Sequence, residues 1–249
     1  MYRSTRRCTH TLSMDVPSPA LLAGLGPYAA VDTHAPGEAA PAPWRPMCEL
    51  VEDPAALDGR VRAVAAALGL GPARARGDLR VAASTAHLGL VARLVAPAVA
   101  LAALGWAPFD QRPAELWWQD RLGGPYPLSV APTGPAAGPA AADTAGEPVL
   151  GDAVGDLTAV IAGRYHVSPR VLWGNTASAV NSAASQLARE RPDLAERGRQ
   201  VAQALLSDPR LAQEPAPAGP GFRRASCCLI HRLAGPPARA VCGDCVLLS

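Results

Sequence analysis

Four cysteines fall within nineteen residues near the carboxyl end of this chain, at Cys227, Cys228, Cys242 and Cys245. Thiolates are soft ligands, and four of them on one short excursion satisfy either a tetrahedral zinc ion or a cluster of two irons. In Cys242-Gly243-Asp244-Cys245 the chain can turn so that both sulfurs converge, and Gly243 permits backbone geometry that frees amides to face sulfur. That knuckle suits either metal. The adjacent pair Cys227-Cys228 separates them, because neighbouring side chains diverge and fit poorly around one ion, whereas a two-iron cluster presents ligand positions further apart. The spacing therefore favours a (2Fe-2S) cluster, with a structural zinc module as the alternative. The blander reading, vicinal cysteines as buried apolar residues or oxidation products, accounts poorly for four so close together.

A cluster held by four thiolates is net negative and gains a further negative charge on reduction, so nearby cations ease reduction. Arg223, Arg224, His231, Arg232 and Arg239 flank the ligands and form a candidate basic collar for docking a partner; a solvated charged loop is the competing reading for each. Other polar candidates carry less. His87 and His166 lie on apolar segments, where a hydrogen-bonded structural histidine is the commoner outcome. Trp173-Gly174-Asn175 is followed by Ala177, Ala179, Ala183 and Ala184, a pattern that close helix packing explains, with support for the cluster as the functional alternative. Cys8 and Cys48 have no partner at metal spacing.

The elements that must position the cysteines are mostly helical. The chain has 249 residues, nearly half apolar, but the apolar share is chiefly Ala, Leu and Val with 4% aromatics, which favours closely packed helices over a β-rich core. The expected fold is mainly α with a small β-hairpin (α+β): a helical body with a C-terminal cysteine-rich iron–sulfur segment. Residues 1–50 read as a loosely ordered Pro/Ala-rich arm. Residues 51–131 read as an N-terminal helical part: Asp53-Pro54 opens a helix with Leu57, Val61, Val64 and Leu68 on one face, and a second helix runs from Gly77 or Asp78 to about Val95. Pro97 is expected to break it before a buried helix at 98–104, and 114–119 with 127–131 can pair as a hairpin carrying Trp117 and Trp118. Residues 132–148 are a flexible Pro/Ala/Gly linker, 149–220 a C-terminal helical part with helices at 149–165, 169–189 and 192–206, and 221–249 the (2Fe-2S)-binding segment.

Composition excludes several functions. All 23 basic residues are arginine, so neither a Walker-type phosphate loop nor a pyridoxal Schiff base is available. A net charge of +2 with scattered arginines gives no nucleic-acid-binding stripe. No strand is followed by GxGxxG, and no serine-hydrolase elbow occurs. The apolar stretch from Val81 to Trp106 is interrupted by His87, Arg93 and Pro97, which predicts no transmembrane segment, and the absence of a secretory pattern places the chain in the cytoplasm, where cysteines serve as ligands or thiols rather than disulfides.

The cysteine pair followed by Cys-x-x-Cys resembles the carboxyl-terminal signature of the FhuF-like ferric-siderophore reductases. The match rests on Cys227, Cys228, Cys242 and Cys245, with Arg224, Gly243, Asp244 and Leu247 around them. Upstream, Val171-Leu172-Trp173-Gly174-Asn175 is similar to the family's tryptophan-glycine-asparagine segment, and Ala82-Ala83-Ser84 through Ala92-Arg93-Leu94 to its earlier helix, so the resemblance covers residues 77–249. The thirteen-residue spacer between the cysteine pairs is longer than the family's usual one, a change that loop-closure entropy tolerates. The resemblance implies a ferric-siderophore reductase: an oxidoreductase that passes one electron from a (2Fe-2S) cluster to ferric iron in a siderophore and releases ferrous iron. It implies that the collar can dock a ferric chelate and that a ferredoxin, flavodoxin or flavin reductase supplies the electron. An electron carrier serving another protein is the nearest alternative.

Overall fold

The computed structural model describes residues 19–70, 76–106, 109–131, 150–211, 217–233 and 241–246. The expected linker at 132–148 lies outside them, as do Cys8, Arg239 and Leu247. The fold is α+β: seven α-helices and a four-stranded sheet among the described residues.

Helix α3 (Pro54–Ala67) begins as its sequence dictates. The Asp53 carboxylate accepts from the Ala55 amide at 2.8 Å, Pro54 occupies the first turn, and Leu57, Val61 and Val64 face the core. Helix α4 (Arg76–Ala103) departs from expectation, since it runs through Pro97 as one 28-residue helix rather than breaking there. An interior proline costs about 3 kcal/mol. Here Val95, Val99, Ala100, Leu101 and Ala103 around it are buried, and at about 1.5–3 kcal/mol for each larger side chain their burial outweighs the break. By length and composition Leu79–Ala103 qualifies as a membrane span, contrary to the reading of its interruptions; 72% of its most apolar window is nevertheless buried. Helices α3, α5 (Asp152–Tyr165), α6 (Pro169–Glu190) and α7 (Ala195–Leu206) all pack on α4, making it the central helix of the body. Helices from both sides of the proline-rich connection share this one core.

The expected hairpin forms as β3 (Leu116–Trp118) and β4 (Leu128–Val130), antiparallel with Trp117 opposite Ser129. The sheet is larger than the sequence suggested, because β1 (Asp32–Thr33) adds parallel to β4 and β2 (Arg45–Pro46) antiparallel to β3. The described part of the arm reaches the core at both ends: Leu22 and Leu25 after the start of α1 (Pro19–Ala23), and Met47 and Leu50 around α2 (Glu49–Glu52), are 2% exposed or less, whereas residues 35–43 between them are mostly exposed. The buried Arg93 of α4 explains how a segment without apolar periodicity is held. Its guanidinium donates to the carbonyls of Tyr28 at 2.7 Å and of Ala30, and also to that of Tyr126 at 2.8 Å, stitching the arm and the sheet to the central helix.

Candidate metal centre

The floor of the cysteine segment is made by α4 and α6, which approach closely because α6 presents Gly174, Ala177, Ala179, Ala183 and Ala184. Both helices also offer polar side chains there. Asn181 accepts from the Gly219 amide at 2.7 Å, Gln203 of α7 accepts from the Ala218 amide at 3.0 Å, and Phe222 is buried at 1% exposure, so the chain enters the site from a fixed point. Ser226 then donates to the Arg170 carbonyl at 3.0 Å, and Ser84 to the Cys228 carbonyl at 3.0 Å. On the returning limb Ser178 donates to the Asp244 carboxylate, while the Arg224 amide donates to the Asp244 carbonyl at 3.1 Å and joins the two limbs.

Asn175 is the centre of this floor. Fully buried, it donates through Nδ2 to the Ser84 carbonyl at 2.9 Å and to Ser84 Oγ at 3.1 Å, and accepts through Oδ1 from Arg224 Nη2 at 2.7 Å. The asparagine of the Trp-Gly-Asn segment thus links α4, α6 and the cysteine excursion. Trp173 stands beside it as packing, with the Arg210 guanidinium 5.4 Å from its ring centre.

The sulfurs of Cys228 and Cys242 lie 3.5 Å apart. Two thiolates on one tetrahedral metal at about 2.3 Å are separated by about 3.8 Å, so this pair stands at the distance that a shared iron requires. Cys245 is buried at the end of the same turn, its amide donating to the Cys242 carbonyl at 3.1 Å. Cys227 points elsewhere: its sulfur is 3.0 Å from His231 Nδ1 and accepts from the Leu229 amide at 3.3 Å. Among the described residues no three His, Cys, Asp or Glu side chains are gathered into a metal-binding group. The donor set is soft, paired at one iron's width, and served by an amide directed at sulfur, which fits a two-iron cluster better than one zinc. Burial, then the hydrogen bond from Cys228, pushes the Cys242 thiol up to about 12, with Arg224 opposing, so a metal entering this site must displace a proton.

Two details were hidden in the sequence. Gly243 was expected to supply backbone freedom, yet its φ is not in the left-handed region and a Cβ there would meet nothing within 4 Å. The unusual backbone is at Leu229, whose φ of 72° is left-handed in a residue with a full side chain. That conformation costs about 1–2 kcal/mol and follows directly on the adjacent cysteines, where it lets the Leu229 amide reach back to Cys227. Leu229→Val, β-branched and poorly suited to this angle, is expected to lower stability by about 1–2 kcal/mol in urea unfolding, while Leu229→Asn, at home in it, leaves the midpoint nearly unchanged.

The collar residues separate into three kinds. Arg223 and Arg232 are exposed, and Arg223 Nη1 donates to the Phe222 carbonyl at 2.8 Å. His231 faces the Cys227 sulfur, and Arg224 is turned inward at 1% exposure, away from any surface partner. Below them, His87 is fully buried. The Thr158 hydroxyl donates to the Val154 carbonyl at 2.6 Å and so accepts from His87 Nε2 at 3.0 Å, and burial, with Arg224 nearby, lowers His87 to about 3. It is a neutral structural histidine. Cys48 lies apart, just before α2.

No curated protein and no solved structure matches this chain. Residues 224–247, the stretch from the inward-turned arginine through the second cysteine pair, match the family described as the FhuF 2Fe-2S C-terminal domain, so the chain is an iron–sulfur protein whose carboxyl-terminal segment takes a (2Fe-2S) cofactor.

Proposed function

We propose that Cys227, Cys228, Cys242 and Cys245 hold the cluster and that the protein is a cytoplasmic ferric-siderophore reductase. The observation that carries this reading is the meeting of Cys228 and Cys242, 3.5 Å apart, on the α4–α6 floor within the matched segment. When bound, the cofactor supplies a one-electron couple, which converts ferric iron in a siderophore to the more weakly held ferrous ion without a covalent intermediate.

The chain's own residues do the positioning. Ser84, Ser178 and Asn175 fix the two cysteine limbs by hydrogen bonds to backbone and carboxylate, so the ligands meet the metal without reorganising the helices. Phe222 and the buried faces of α4 and α6 close the inner side to water. The exposed Arg223 and Arg232 lie on the outer side, where cations attract an anionic chelate or an acidic donor protein. A ferredoxin, flavodoxin or flavin reductase delivers the electron.

Anaerobically purified protein is expected to be red-brown, to contain two irons per chain and to bleach with dithionite. Mixed under argon with ferric siderophores, the reduced protein should regain its colour as ferrous iron appears. Colourless protein with stoichiometric zinc would overturn the cluster ligation, and persistent bleaching with every chelate would replace the reductase by an electron carrier.

A further inference from the structure

A buried arginine must have its charge answered. Arg224 is 1% exposed, and only its Nη2 is partnered, by Asn175 Oδ1 at 2.7 Å and the Val171 carbonyl at 3.2 Å. Its Nε and Nη1 are buried with no hydrogen-bond partner, and no carboxylate forms an ion pair with it among the described residues. Asp244, whose carbonyl accepts from the Arg224 amide, has its carboxylate engaged by Ser178. An unpaired guanidinium removed from water costs several kcal/mol, and a fold keeps one where an anion meets it.

The position indicates which anion. The Arg224 amide is bonded to the Asp244 carbonyl, inside the Cys242–Cys245 turn, and its guanidinium is bonded to the asparagine that holds Ser84, which in turn holds the Cys228 carbonyl. The cation therefore sits between the two limbs that bear the ligands, on the protein side of the site. Neutral His87 beneath it contributes no competing charge.

We infer that Arg224 is the internal counter-cation of the (2Fe-2S) centre, placed by Asn175 so that its unpartnered Nε and Nη1 donors face the negative charge of the cysteine-ligated site and favour its reduced state. Because each electron adds negative charge, a fixed buried cation stabilises the reduced form more than the oxidised one. The role is one of positioning charge, distinct from docking at the surface, and it separates Arg224 from Arg223 and Arg232 on the same segment. It rests on the ligand assignment proposed above and is independent of where the electron goes.

The test is the midpoint potential of the full-length loaded protein, titrated spectroscopically with redox mediators and no siderophore present, for wild type, Arg224→Gln and Arg224→Lys. Glutamine keeps a donor for Asn175 and removes the charge; lysine keeps the charge and loses the planar fork. We expect Arg224→Gln to lower the reduced-to-oxidised ratio at a given potential about tenfold, which for one electron is a fall of about 59 mV, and Arg224→Lys to restore most of it. A glutamine variant within twofold of wild type overturns the inference, as does a lysine variant displaced as far as the glutamine one. Should Arg224→Gln fail to take up iron, Arg224→Lys decides: loading with a near-wild-type potential supports a charge requirement, and failure of both assigns Arg224 a packing role instead. A wild type without visible absorption would instead refute the ligand assignment, so the two failures are told apart.

Discussion

Cys242→Ser is expected to yield a colourless protein whose iron content falls from two atoms per chain to near zero while its far-ultraviolet dichroism is unchanged. Cys242 is the cysteine whose sulfur meets that of Cys228 at 3.5 Å, and removing it dissolves that preformed pair. A serine hydroxyl is a hard, weakly acidic donor that replaces a thiolate poorly at a soft metal. The helices are indifferent to the change, because none of the four cysteines belongs to the hydrophobic core assembled by α3 to α7. Iron analysis and the visible spectrum check the first half of the result, circular dichroism the second. A serine variant that retained full iron would show that Cys242 is not a ligand.

Asn175→Ala is expected to be the most damaging substitution outside the cysteines, lowering unfolding stability by about 3 kcal/mol. The side chain makes three hydrogen bonds at 2.7 to 3.1 Å from a fully buried position, one to a charged guanidinium and two to Ser84. Alanine fills less space and leaves the Arg224 Nη2 with only the Val171 carbonyl at 3.2 Å. Urea denaturation of metal-free protein reads the stability loss, and the rate at which a chelator strips iron from loaded protein should rise in parallel because Ser84 no longer anchors the Cys228 carbonyl firmly. Asn175→Ala with an unchanged unfolding midpoint would contradict the central place given to this residue.

The cysteines were legible because metal chemistry is written in residue type and spacing, which need no knowledge of packing. The helices of the body were legible for a similar reason: α3 carries an Asp cap, a first-turn proline and a regular apolar face. Three features were not. Pro97 was read as a break because the local cost of proline is plain in a sequence, whereas the burial of Val95, Val99 and Leu101 that overrides it is tertiary. The strands β1 and β2 are two residues each, too short to show alternation; the chain leading into β1 is held by Arg93 from a helix far along the sequence, and β2 by pairing with β3. Arg224 looked like its neighbours Arg223 and Arg232, since nothing in the composition of a charged stretch says which arginine turns inward; the signal was Asn175, a polar residue among small apolar ones on a buried helix face.

The seam between body and cysteine segment decides how rigidly the cysteine limbs are held. Phe222 is the last member of the described buried apolar cluster, and beyond it the excursion is tied to α4 and α6 through serines, an asparagine and backbone carbonyls, with Leu233 packed against the core as well. Ties of that kind hold in one geometry only, so the seam fixes where the two cysteine limbs stand relative to α4 and α6.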